Sequence, residues 1–173
     1  MIIRSILLLG VMCKFLCLRA QQSDKIEIGK PYPNPAFVRV QNQNGTENIS
    51  LSAWRGKPLI VDFFTSFCVV CFKSLPKINK LQEQFKGELH FLLIGKEDAY
   101  IHKTYERFRQ QLNLQLDVAY DSILHRNLTE YSYPLYVWID SAGIVRGVTG
   151  VEELTADNIS HFLKQNVVIS GSP

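Results

Sequence analysis

Cysteine is scarce, with four in 173 residues, and two of these, Cys13 and Cys17, fall within the first twenty. Only Cys68 and Cys71 remain beyond them, which excludes a disulfide-framework fold held by several bridges over long loops. Histidine is equally sparse. His90, His102, His125 and His161 are scattered and form no H-x₃₋₅-H pair, so a zinc site would lack its second pair of ligands and no metal is expected. A basic surface is also missing. The formal net charge of +3 rests on Arg4, Lys14 and Arg19, and beyond residue 20 acids and bases balance. A nucleic-acid partner needs a basic excess, so none is expected. The composition is that of a globular chain, with 46% hydrophobic and 20% charged residues, which argues against disorder. Taking ~150 residues per domain, the length predicts a single domain.

Residues 1–20, MIIRSILLLGVMCKFLCLRA, have the layout of an export signal: a basic start at Arg4, an apolar run over Ser5–Cys13 and a small residue, Ala20, at the cleavage point. That run is far shorter than the ~20 residues of a membrane span. Lys14 interrupts it, so a retained anchor, or a lipid anchor at Cys13, stands as the alternative to cleavage. Residues 21–173 are predicted to form the single domain.

Along that domain, residues 21–35 carry Pro31, Pro33 and Pro35 and read as an irregular lead-in. Phe37, Val38 and Val40 predict a first strand, Asn44-Gly45 a turn, and Ile49–Leu51 a short returning strand. Ser52–Gly56 reads as a turn or short helix. Leu59–Phe64 is nearly all apolar and β-rich, the pattern of a strand buried on both faces. Phe72, Leu75, Ile78, Leu81 and Phe85 then recur at helical spacing, and Leu89–Ile94 reads as a second buried strand. Ile101, Tyr105, Phe108 and Leu112 predict another helix, Leu116–Tyr120 a strand, and Ser122–Tyr131 a short helix. Pro134–Ile139 and Ile144–Val148 predict a hairpin around Ser141–Gly143. Thr155 is the expected N-cap of a last helix carrying Ile159, Phe162 and Leu163. This order fits one α/β domain with a central mixed sheet. Trp54 and Trp138 are expected in its core. The sequons at Asn44, Asn48, Asn127 and Asn158 read as chance occurrences.

Cys68-Val69-Val70-Cys71 sits where the buried strand runs into the first helix. A cysteine at a helix N-terminus has its thiolate stabilised by free N–H groups and the helix dipole, which lowers its pKa below the ~8.5 of a free thiol. The second cysteine, about one turn on, is placed to attack it through a mixed disulfide. A bridge across two residues closes too small a loop to add much stability. The pair is therefore read as chemistry, with Cys68 the attacking nucleophile and Cys71 the resolving thiol.

The stretch Val61-Asp62-Phe63-Phe64-Thr65-Ser66-Phe67-Cys68-Val69-Val70-Cys71 resembles the active-site segment of thioredoxin-fold proteins, and Pro76 stands five residues after the second cysteine, as in that family. Tyr133-Pro134 resembles its cis-proline loop. Ile28-Gly29-Lys30-Pro31 and Leu51-Ser52-Ala53-Trp54-Arg55-Gly56-Lys57-Pro58 are similar to the leader and pre-strand of the TlpA/ResA-type branch, which contains exported thiol–disulfide oxidoreductases of the bacterial envelope. The likeness covers roughly residues 26–166. It implies a thioredoxin-like fold: a central mixed β-sheet flanked by helices, an N-terminal β-hairpin, and an inserted helix and strand before the cis-proline. It also implies that Pro134 is cis and that the Tyr133 backbone is free to pair with an extended substrate. Asp62 stands at the offset of thioredoxin's buried aspartate. Burial would raise its pKa and make it a proton acceptor for Cys71; the plainer reading is a polar edge or a pair with Lys57.

Three positions depart from the family pattern. Phe67 replaces the usual tryptophan, Val69-Val70 carries neither proline nor charge, and Tyr133 is larger than the usual residue before the cis-proline. Phe67 and Tyr133 are candidates for an apolar substrate rim. The expected activity is disulfide reduction in the periplasm or cell envelope, on disulfide-containing protein clients. A thiol electron donor, membrane-bound, recharges it. The protein is expected to be a monomer with no cofactor beyond the redox-active Cys68–Cys71 disulfide. Two rivals share the fold. Thr65 precedes Cys68 as in the peroxiredoxin T-x-x-C, but Val61 fills the place of that motif's proline. A copper-delivery module would need wider cysteine spacing and a partner histidine.

Overall fold

The computed structural model describes residues 25–33, 38–42, 45–49, 51–126, 128, 131–165 and 169–170. The expected signal at 1–20, Phe37, Asn44 and Asn127 lie outside these residues. Eight strands form one sheet among them: β1 Val38–Asn42, β2 Gly45–Ile49, β3 Leu59–Phe64, β4 His90–Gly95, β5 Asp117–Tyr120, β6 Leu135–Ile139, β7 Val145–Thr149 and β8 Ile169–Ser170. Four α-helices accompany them: α1 Val69–Gln84, α2 Ile101–Leu112, α3 Ser122–Arg126 and α4 Ala156–Gln165. The strand order is β2-β1-β5-β4-β3-β6-β7-β8. β3 is parallel to β4 and β4 to β5, while β6 runs antiparallel to β3, and β1 to β5. The mixed sheet, the hairpin β1–β2 and the α2–β5 insertion are those that the thioredoxin resemblance implies.

Every residue of β3 is buried, because β4 and β6 cover both its edges and a core covers each face. Alternation along the strand divides those cores. Ile60 and Phe64 face one that includes Leu75 and Ile78 of α1, Tyr105 of α2 and Phe162 of α4. Val61 and Phe63 face the other, with Val40, Ile94, Val137 and Leu128. The apolar spacing of α1 explains its seat: Phe72, Leu75, Ile78 and Leu81 are buried while Lys73, Lys77 and Lys80 are not. At the end of β4 only glycine fits. A Cβ on Gly95 would meet Tyr120 at 2.9 Å and Ile101 and Phe64 at 3.0 Å.

Thr155 caps α4, its hydroxyl accepting from the Asn158 N–H at 3.1 Å. Two expectations need correction. The returning hairpin strand is Gly45–Ile49, not Ile49–Leu51, because Asn42 already pairs with Gly45; Leu51 belongs to a 3-10 turn over Leu51–Trp54. Trp138 is fully buried, with its indole N–H on the Thr149 hydroxyl at 2.8 Å. Trp54 is only half-buried and stacks on the His90 ring at 5.4 Å. The 3-10 turn holds it at the rim of the sheet, where it packs against the margin of the second core rather than within it. β8 had no sequence signal: two residues are too few for a pattern.

Candidate active site

The chain leaves β3 at Phe64 and reaches α1 in four residues. Cys68 is the N-cap of α1: its N–H donates to the Thr65 carbonyl at 3.2 Å, and its Sγ accepts from the Cys71 N–H at 3.1 Å. Cys68 and Cys71 form a disulfide with Cα atoms 5.3 Å apart. The two sulfurs differ in access. Cys71 is 1% exposed, whereas Cys68 is half-buried at the edge of the same core. No charged residue lies in the first turn of α1, where Val69 and Val70 stand open to solvent.

Exposed apolar side chains flank Cys68 in the chain and share its end of the sheet. Phe67 is 79% exposed and meets Tyr100 edge to face at 6.3 Å. Phe67, Val69, Val70, Tyr100 and Ile123 are exposed large hydrophobics, and the topology sets all five beyond the C-terminal ends of β3, β4 and β5. A cavity of about 690 Å³ lies at the opposite end of these strands, lined by Trp54, Arg55, His90 and Asp117 among others. It has no part in the cysteine chemistry.

Beneath the disulfide, Asp62 is buried on the strand face that carries Ile60 and Phe64, the face against which Cys71 packs. Neither carboxylate oxygen has a hydrogen-bond partner. Lys57 does not pair with it, which removes the plainer reading. Desolvation by burial pushes its carboxyl from the ordinary 3.8 up to about 8. Tyr136, its cross-strand neighbour on β6, is engaged elsewhere. The Ser74 hydroxyl donates to the Cys71 carbonyl at 2.8 Å, so the Tyr136 hydroxyl, 3.2 Å away, donates to Ser74.

The Tyr133–Pro134 bond is cis and Pro134 is buried. Tyr133 packs against both cores. Its hydroxyl lies 2.8 Å from His125 Nδ1, and His125 Nε2 lies 3.0 Å from the Ile94 carbonyl. Sequence reasoning passed over His125, because it stands eight positions before Tyr133 and no motif links the two. It also passed over Asp98. One Asp98 oxygen accepts from Ser66 at 2.6 Å, and the other from the N–H groups of Tyr100 and Ile101 at 2.7 and 2.9 Å. Against partial desolvation, these bonds hold its carboxyl below the usual range. An aspartate three residues before a helical apolar face was the available signal.

With this geometry in place, residues 28–148 match the AhpC/TSA family. The chain belongs to the AhpC/TSA family. Among curated relatives, the thiol:disulfide interchange protein DsbE of Pseudomonas fluorescens biotype C is 33% identical over 119 residues, 69% of this chain and 64% of that protein. This AhpC/TSA chain thus spans under two thirds of that relative's length. The exposed lipoprotein thioredoxin of Streptococcus pneumoniae superposes with a TM-score of 0.60 at 21% identity, over 75% of this chain and 99% of that one. The mitochondrial 2-Cys peroxiredoxin of Plasmodium falciparum superposes with a TM-score of 0.64, also at 21%, over 83% and 100%. These likenesses establish the thioredoxin-like fold. They do not separate disulfide exchange from peroxide reduction, which the AhpC/TSA site residues must do.

Proposed function

We propose that this protein is an exported thiol–disulfide oxidoreductase that reduces disulfides in protein clients. The observation that carries the reading is the asymmetric Cys68–Cys71 disulfide at the N-terminus of α1, one sulfur open and one buried. In the reduced protein the Cys68 thiolate attacks a client disulfide, forming a mixed disulfide and expelling one client thiolate. Asp62 takes the proton of the Cys71 thiol. Cys71 sulfur then attacks Cys68 Sγ, closes the enzyme disulfide and releases the second client thiolate. Two electrons pass to the client, and both its thiolates take up protons from solvent. A dithiol donor reverses the enzyme half-reaction, and there the protonated Asp62 carboxyl returns a proton to the leaving Cys71 sulfur. The exposed apolar side chains around Cys68 suit an unfolded client segment, and the cis-proline loop offers it a backbone edge.

The reducing direction rests on what the thiolate lacks. Val69 and Val70 give it no charge or side-chain hydrogen bond. Asp62 contributes little repulsion at pH 7, since it is mostly neutral there; the ionised Asp98, tied to Ser66, opposes the thiolate instead. Export rests on the expected leader at residues 1–20, and the exposed pneumococcal thioredoxin of the same fold is in keeping with it. The recharging donor belongs in the membrane of the same envelope.

Thiol trapping in graded redox buffers tests the direction. A potential near or below roughly −230 mV places the pair with reductases, and one between roughly −120 and −180 mV makes it an oxidase or isomerase. Peroxide consumption tests the rival chemistry. The peroxiredoxin proline position is Val61, in the middle of β3 and paired on both sides with Leu92 and Val137, where a proline would break the ladder. Negligible peroxide turnover is expected.

A further inference from the structure

His125 is buried, yet no step above uses it. Its ring meets Phe63 edge to face at 5.2 Å, and both nitrogens are engaged. The Ile94 carbonyl can only accept, so Nε2 carries the ring proton. In the neutral ring Nδ1 is then bare and accepts the proton of the Tyr133 hydroxyl. Burial disfavours the charged ring, so this direction of donation is stable. The chain of bonds runs from Ile94 near the end of β4, through His125 of α3, to the residue that forms the cis bond with Pro134. Nothing else among the described residues takes the Tyr133 hydroxyl.

We propose that His125 is a positioning residue for client binding: by accepting the Tyr133 hydroxyl proton while anchored on Ile94, it fixes the backbone edge at Tyr133–Pro134 on which an extended, disulfide-bonded peptide docks. This deepens the oxidoreductase reading and rests on it. A peptide client needs that edge in register. A small disulfide such as glutathione disulfide needs chiefly the Cys68 sulfur, so the two substrates separate docking from chemistry.

The test compares kcat/KM for an oxidised, disulfide-linked dimer of an extended octapeptide with that for glutathione disulfide. His125→Gln keeps a donor for Ile94 at the Nε2 position but places no acceptor at the Nδ1 position that Tyr133 uses; Tyr133→Phe removes the hydroxyl from the other side. One net hydrogen bond is worth about 1 kcal/mol, so each variant lowers the peptide-to-glutathione ratio about 5-fold, through KM. The double variant adds nothing further, since the two act through one bond. His125→Asn, which keeps an acceptor near Nδ1 but has no donor that reaches Ile94, lowers the ratio by less than His125→Gln. Nitrogen NMR of the imidazole shows the Nε2–H tautomer. Equal losses on both substrates, additive single effects, or the Nδ1–H tautomer would overturn the proposal. If His125→Gln fails to fold, Tyr133→Phe and the tautomer decide it. Absence of any disulfide turnover by the wild type would instead sink the oxidoreductase reading.

Discussion

Asp62 and His125 are two buried titratable groups on opposite faces of the same central strand. Asp62 lies on the α1 side with no partner for either oxygen. His125 lies against Phe63 on the other side with both nitrogens bonded. Burial drives each toward its neutral form, Asp62 up to about 8 and His125 down to about 4. The difference lies in what the neutral form can do. A carboxyl that makes no hydrogen bond pays a desolvation cost and returns nothing to stability, so its place is best explained by a proton that must come and go beside Cys71. An imidazole with both nitrogens engaged has no proton to spare and serves geometry.

The largest effect that separates the two is the pH dependence of stability. Asp62 goes from the ordinary 3.8 in the unfolded chain to about 8 in the fold. Its contribution is fully present below pH 4 and is lost as pH rises through 8, at about 1.4 kcal/mol per pH unit. His125 goes from 6.5 to about 4. Its contribution is present above pH 6.5 and is lost as pH falls through 4, with the same slope of about 1.4 kcal/mol per unit and opposite sign. Between pH 4 and 6.5 the two slopes cancel, and from pH 6.5 to 8 Asp62 alone makes stability fall. Urea unfolding of the oxidised protein at a series of pH values reads this directly. Asp62→Asn abolishes the fall above pH 6.5 and leaves a rise from pH 4 to 6.5. His125→Gln leaves a continuous fall from pH 4 to 8. A wild-type profile that stays level up to pH 8 would refute the strained carboxyl.

Next in size is the kinetic effect. A positioned general base is worth ~10²–10⁴-fold, so Asp62→Asn slows resolution of the mixed disulfide about 100-fold at pH 8. The wild-type rate climbs as Asp62 ionises and levels off above pH 8, and the variant lacks that climb. Rapid-quench trapping of the mixed disulfide measures it. Identical rates for the two proteins across pH 6–9 would remove Asp62 from the mechanism and leave the comparison without its catalytic half.

The two groups were also unequally legible in the sequence. Asp62 stands out because it is the one charge in an otherwise apolar run, and Leu59–Phe64 was readable as a buried strand for the same reason. The long elements followed from period: α1, α2 and α4 each keep their apolar residues on one face. Some short features did not. β8 and the exact hairpin pairing of β1 with β2 depend on backbone partners rather than on side-chain pattern. His125 stands on a short helix that was legible, but its contacts were not. Its role depends on a carbonyl 31 residues away on β4 and a hydroxyl brought back by the cis-proline loop, and neither leaves a periodic trace. Trp54 was legible in part: a large aromatic predicts burial, and it packs on the second core, but a 3-10 turn at the sheet rim leaves it half open.

Asp98 supplies the smallest and sharpest contrast. Like Asp62 it sits under the cysteine segment's end of the sheet, but it is partnered by Ser66, Tyr100 and Ile101 and so stays ionised. An ionised carboxylate opposes the Cys68 thiolate, whereas a carboxyl that is mostly neutral at pH 7 does not. A single charge screened near the surface is worth under about 1 kcal/mol, which corresponds to under about 20 mV for a two-electron couple. Asp98→Asn therefore makes the pair more oxidising by roughly 10–20 mV at pH 7, while Asp62→Asn moves the potential by less than that. Equilibration with glutathione at fixed pH resolves the two. A larger shift from Asp62→Asn would mean that Asp62 is charged in the working enzyme. It would then act on Cys68 as a fixed anion and not on Cys71 as a proton carrier.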